Sequence, residues 1–343
     1  MAHESQVSRR TLLAGALGAA LALSENPPPT AAAAAGGEPP TLTLADIERM
    51  LTEISNWGRW GKDDQMGTVN LITPALRKRA ASLVREGISV SLAHNQDTTP
   101  SLDNAQPLVR MMNTIAGSDE PKFSLSTDTY TMNYHGYFYS HMDALCHFAY
   151  GRQLYNGTPS SATTSAGASK LDITAFKDGI VTRGILMDIP RLKGVPYLEP
   201  GTAVLPEDLD AWEKQARVKV ASGDMVVLRT GRWARRAAKG PWAIPEKVAG
   251  LHVSCVRWLR QRDVAVLASD AVSDVFPSRV EGLRDPIHCL VIVGLGTPLF
   301  DNLDPEEVSE TANLLRRWEF MFTAAPMRIP GGTGSPINPL AIF

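Results

Sequence analysis

The sequence predicts a single α/β domain carried behind an export signal. Short apolar runs of buried-strand type alternate with amphipathic helical stretches over most of the chain. No internal repeat or long linker divides it. The composition agrees: of 343 residues, 44% are hydrophobic and 20% charged, which is ordinary for a globular domain able to bury its own core without staples. The formal net charge is -2 and Lys and Arg are scattered, so no nucleic-acid partner is expected.

In chain order, Ser8-Arg9-Arg10-Thr11-Leu12-Leu13 is a twin-arginine pattern, and the apolar run from Leu12 to Leu23 is too short to span a membrane. Pro27-Pro28-Pro29 and the small residues Ala31 to Ala35 follow. Residues 1–36 therefore read as a twin-arginine signal peptide and leader, and 37–343 as the mature domain. A periplasmic or extracellular location follows, with no stable membrane span once the signal is cleaved. Thr43 caps a helix with acids in its first turn. Residues 57–70 form an ordered loop, and Pro74 opens a helix to about Glu86. Strands are expected at 88–92, once or twice within 124–139, and at 184–189, 225–228 and 264–268. Helices are expected at 206–217, 247–261 and 304–318. Residues 290–295 form a strand or a buried helix, and 157–169 a loop. Cys146, Cys255 and Cys289 lack CxxC spacing and read as small buried hydrophobes.

The chemistry concentrates in His135-Gly-Tyr-Phe-Tyr-Ser-His141-Met-Asp143-Ala-Leu-Cys-His147. His141 and Asp143 are two apart, so on an extended chain both point to one face. Asp143 and His147 are four apart, which suits a helical turn or strand parity. Imidazole with carboxylate is a ligand set for zinc or manganese. An Asp between Met142 and Ala144 is costly to bury without a partner or an ion.

His141-x-Asp143-Ala144-x-x-His147 resembles the core of the HxGTHxDxPxH signature of the cyclase family, which includes kynurenine formamidases and isatin hydrolases. Further blocks resemble it in order. They are Trp60-Gly61-x-Asp63-Asp64-Gln65-x-Gly67-Thr68-x-Asn70, Gly223-Asp224 with Leu228-Arg229-Thr230-Gly231, Ser269-Asp270, Asp285-Pro286-Ile287-His288, and Pro298 through Asp301-Asn302-Leu303. The resemblance implies a β-barrel-like mixed sheet surrounded by helices, a homodimer or larger homo-oligomer, and a divalent-metal hydrolase of amides, formamides or cyclic amides. By the same resemblance His141, Asp143, His288 and Asp301 are metal ligands and His147 is the proton donor and acceptor. The family's first ligand His, four residues before His141, is here Tyr137, with His135 two residues further back. Either can face the site. A straight strand would hold His135 about 20 Å from His141, so it reaches the ion only if the chain bends at Gly136. Asp301, shorter than the family's bridging Glu, favours one ion per chain over two.

Water activated by the ion would attack a planar carbonyl while His147 moves the proton. No GxSxG elbow offers a serine nucleophile instead. Trp57, Trp60, Tyr137, Tyr139 and His252 are candidate contacts for a small, flat or aromatic substrate. Lactone opening, ring closure, or an exported binding protein on the same fold are the alternatives.

Overall fold

The structure is a computed structural model that describes residues 41–117 and 123–343. The export signal read in residues 1–36 lies outside the described residues. No helix among the described residues is long and apolar enough to cross a membrane.

The chain alternates strands β1 (Ser89–Ser91), β2 (Val109–Thr114), β3 (Thr127–Thr131), β4 (His141–Asp143), β5 (Ile180–Asp188), β6 (Met225–Arg229), β7 (Val266–Ser269), β8 (Leu299–Asp301), β9 (Glu319–Ala324), β10 (Gly334–Pro336) and β11 (Leu340–Ile342) with helices α1 (Leu44–Ile54), α2 (Pro74–Ala81), α3 (Pro206–Ala216), α4 (Arg232–Lys239), α5 (Cys255–Gln261) and α6 (Glu306–Leu315). Nine strands form one mixed sheet in the order β1-β11-β9-β5-β6-β7-β8-β4-β10. It curls into a half-barrel with helices around it, as the resemblance implied. The central strands β5, β6, β7 and β8 run parallel. β6, β7 and β8 are buried along their whole length, which is why the sequence shows β6 and β7 as short apolar runs. The antiparallel strands β4 and β10 at one end carry the polar chemistry. β2 and β3 form a separate hairpin, exposed throughout.

Local signals account for the helices. Thr43 Oγ1 accepts from the Asp46 N–H while Asp46 accepts from the Thr43 N–H, a reciprocal cap at the start of α1. The buried face of α1 (Ile47, Met50, Ile54) packs on residues 289–295, which form a fully buried π-helical segment. The helix begun at Pro74 ends at Ala81 and not near Glu86, because Arg317 takes the Leu83 carbonyl and the Glu86 carboxylate outside the helix. The expected helix from 247 begins only at Cys255. Before it, Val248 and Leu251 exchange backbone bonds with residues 273–276, so that stretch is extended. Helix α4 and strands β2, β8, β9, β10 and β11 went unseen in the sequence.

Gly67, at φ 54°, lies against residue 296: a Cβ there would stand 1.8 Å from the Gly296 carbonyl oxygen. Beside it Thr68 donates to the same carbonyl at 2.9 Å and, through Oγ1, to Ala265 O at 2.8 Å. Gly67→Ala is expected to cost about 2–3 kcal/mol by overpacking a rigid backbone contact. The midpoint of urea unfolding reads this, and an unchanged midpoint would refute it.

The turn from Gly223 to Asp224 and the Thr230-Gly231 turn prove structural. Asp224 binds Arg183 at 2.9 Å. The buried Asp270 carboxylate accepts from Thr230 N, Gly231 N and Arg232 N and from Thr230 Oγ1, at 2.7 to 3.1 Å. Two of the blocks noted in the sequence are thus one device that anchors the start of α4.

Candidate metal centre

Strand β4 places His141 and Asp143 on one face, with Met142 between them turned into the core. Its antiparallel neighbour β8 sets Asp301 opposite His141, and β10 on the other side sets Gly334 opposite Asp143. That glycine leaves room for an imidazole: a Cβ at 334 would stand 2.8 Å from His135 Cε1. After β4 a turn closed by the His147 N–H on Ala144 O returns His147 to the same face. Before β4 the chain turns tightly at Gly136, whose N–H donates to Tyr134 O at 2.8 Å. The bend that His135 required is present. His288 comes from the short turn that precedes the π-helical segment. Four of the seven histidines therefore meet at one place.

Asp143 is the centre of the group. Its oxygens lie 3.0 Å from His135 Nδ1, 3.4 Å from His141 Nε2, 3.8 Å from His147 Nε2 and 3.7 Å from His288 Nε2. Both oxygens are buried, and neither is aligned for a hydrogen bond; His135 Nδ1 is in the same condition. Burial opposes ionisation of Asp143, yet the imidazoles, His147 foremost, outweigh it and hold the carboxyl well below its usual range. Burial pushes His147 down to about 4, so its ring is neutral near pH 7. The rings of His135 and His147 stack at 4.1 Å.

His288 is held from both sides. Its Nδ1 lies 2.6 Å from Asp274 and its Nε2 3.1 Å from Asp301, whose other oxygen accepts from Ser273 Oγ at 3.0 Å. Burial works against the charged ring, but Asp301 and Asp274 more than offset it and raise its pKa well above the ordinary value. Burial likewise pushes Asp274 up to about 6. His141 Nδ1 bonds the Tyr139 carbonyl at 2.8 Å, which leaves Nε2 free to face Asp143.

Two overlapping groups can each hold a cation, His135 with Asp143 and His147, and His141 with Asp143 and Asp301. A buried, ionised carboxylate with no donor is costly, and a divalent ion among imidazoles and carboxylates relieves that cost. The residues present fit such an ion.

The group opens into a cavity of about 250 Å³, walled further by Tyr137, Phe148, Val272, Arg284 and Asp285. A larger hollow of about 770 Å³ near Lys247 and Glu281 gathers no such cluster. Of the expected substrate contacts, only Tyr137 lines the cavity. Trp57 donates from Nε1 to the Val293 carbonyl and closes the end of the π-helical segment. Trp60 lies under the Arg59 guanidinium. Tyr139 turns its hydroxyl to Leu108 N and Asp97 O, and only its carbonyl serves the centre. His252 is buried at the extended segment before α5, with Nδ1 on Ser254. The sequence reading missed Asp274, Ser273, Phe148 and Arg284. Asp274 carried the signal used for Asp143, an acid inside an apolar stretch.

Comparison with known proteins agrees with this fold. The cyclase family model matches residues 65–274. A crystal structure of a novel cyclase is 30% identical and covers 85% of this chain and 99% of its own, with a TM-score of 0.77. An isatin hydrolase bound to the product analogue thioisatinate is 20% identical, over 78% of this chain and 97% of its own, at a TM-score of 0.53. Isatin hydrolase A from Ralstonia solanacearum is 21% identical over the same shares, at 0.54. The two isatin hydrolases are similar in fold. No curated protein gives a match. The ordered blocks, the curled sheet and the family match lead to one conclusion: this chain belongs to the cyclase family.

Proposed function

We propose that the chain is an exported, metal-dependent hydrolase that cleaves the carbon–nitrogen bond of an amide, formamide or cyclic amide. The observation that carries this reading is the buried Asp143 carboxylate, unbonded and ringed by four imidazoles at the floor of a cavity. The fold shared with isatin hydrolases supports it. His141, Asp143 and Asp301 would hold one zinc or manganese ion per chain, with His288 beside them. When bound, the ion supplies Lewis acidity towards water and the carbonyl oxygen.

The chain's own residues supply the rest. His147, neutral and a quarter exposed, accepts a proton at Nε2 and returns it to the leaving nitrogen. The stack of His135 on His147 fixes that ring's plane. Asp274 holds His288 through Nδ1. Phe148 and Tyr137 are aromatic residues lining the cavity, which suits a planar substrate.

The test is turnover by zinc- or manganese-loaded mature chain against aryl formamides, cyclic amides and lactones. Hydrolysis of an amide-class compound, lost on chelation, is the expected result. Turnover of lactones alone would move the activity to ester bonds. Metal binding with no turnover of any of them would favour a binding protein.

A further inference from the structure

We infer that Arg232 and Asn302 are positioning residues for the metal-holding side chains, acting by fixing the loop 136–140 between His135 and His141. The inference rests on the metal-site reading above. Neither residue lines the cavity, and their hydrogen bonds go to the loop rather than to His135, His141 or Asp143.

Both side chains are buried. The Asn302 amide is spent on the loop and on Arg232, whereas Arg232 divides its donors among Asn302, the Tyr137 carbonyl, the Asp270 carbonyl and Asp103, with Nε left unbonded. Asn302 donates from Nδ2 to the carbonyls of Gly136 at 2.8 Å and Tyr139 at 3.3 Å. Its own carbonyl accepts from Ser140 Oγ at 2.7 Å. Arg232 donates from Nη1 to Asn302 Oδ1 at 2.5 Å and from Nη2 to the Tyr137 carbonyl. Three loop carbonyls at 136, 137 and 139 thus end on two side chains.

The geometry reaches the centre through two atoms, one behind the ligand His141 and one behind His135, the ring stacked on His147. The Tyr139 carbonyl accepts from Asn302 and also bonds His141 Nδ1, so its place sets the imidazole whose Nε2 faces Asp143. The Gly136 carbonyl belongs to the turn that carries His135 to within 3.0 Å of Asp143. Asn302 also follows Asp301, so one residue ties the carboxylate strand to the imidazole loop. Its φ of 55° is one that asparagine tolerates better than most side chains.

The test uses Asn302→Gly and Asn302→Asp, which both accept that backbone angle. Glycine removes the amide. Aspartate keeps the acceptor for Arg232 but sets an oxygen against two carbonyls. Zinc and manganese affinities of the full mature chain are measured by competition with a chromophoric chelator, well below each variant's Tm. The expected result is a roughly 10- to 100-fold weaker affinity in both variants, with near-wild-type circular dichroism. Affinity within about twofold of wild type would overturn the inference, as would a loss fully matched by the unfolded fraction. Should neither variant fold, Ser140→Ala removes one bond of the same clamp and should weaken binding severalfold; no change would equally overturn it. Wild-type chain that binds neither metal would instead sink the metal-site reading itself.

Discussion

Asp143→Asn is expected to abolish metal binding while leaving the fold intact. The substitution conserves shape in a position that is 1% exposed, so the local packing is retained. It removes the one negative charge that faces all four imidazoles, and both candidate ion groups contain it. Loss of an outer partner of a metal ligand alone costs about 10- to 100-fold in affinity, so loss of this shared ligand should exceed about 100-fold. Elemental mass spectrometry of the purified variant checks this beside wild type, with circular dichroism as the control for folding. A variant that retained its ion would show that the imidazoles bind without the carboxylate and would remove Asp143 from the centre.

His147→Gln is expected to lower kcat by about 10²- to 10⁴-fold with metal content unchanged. Glutamine is polar and of similar size but cannot take up and release a proton at neutral pH. The effect follows from the neutral state that burial imposes on His147 and from its place at the cavity, a quarter exposed where Asp143 and His141 are closed off. The pair of readings matters more than either alone. Loss of metal together with activity would make His147 a ligand of the group it forms with His135 and Asp143. Retained activity would assign the proton to another group.

How much of this was legible in the sequence depends on whether a local rule decided the matter. The cap at Thr43 was legible because its bond spans three residues. The central strands were legible because burial on both faces leaves unbroken apolar runs. His141 with Asp143 followed from strand parity alone. Strand β9 was missed because it begins at Glu319, immediately beyond the helix expected to run to 318, whereas α6 ends at Leu315. Within the centre, Asp274 and Ser273 were missed because their roles arise from contacts with His288 and Asp301, many residues away. Trp57 and Tyr139 misled for a related reason. Aromatic residues near a motif in sequence signal substrate contact, but the hydrogen-bonding ends of both meet backbone groups instead. The bend at Gly136 stood as a condition on His135 in the sequence, and only the fold supplies the side chains that hold the carbonyl of that bend.

The central claim is that a divalent ion sits at Asp143. The most direct measurement is an anomalous difference map from crystals of the mature chain grown with zinc, collected at the zinc edge. One peak bounded by His141, Asp143 and Asp301 is the predicted result. No peak there at full zinc occupancy of the protein in solution, or a peak elsewhere only, would contradict the account; a second peak against His147 would contradict its role as the proton carrier.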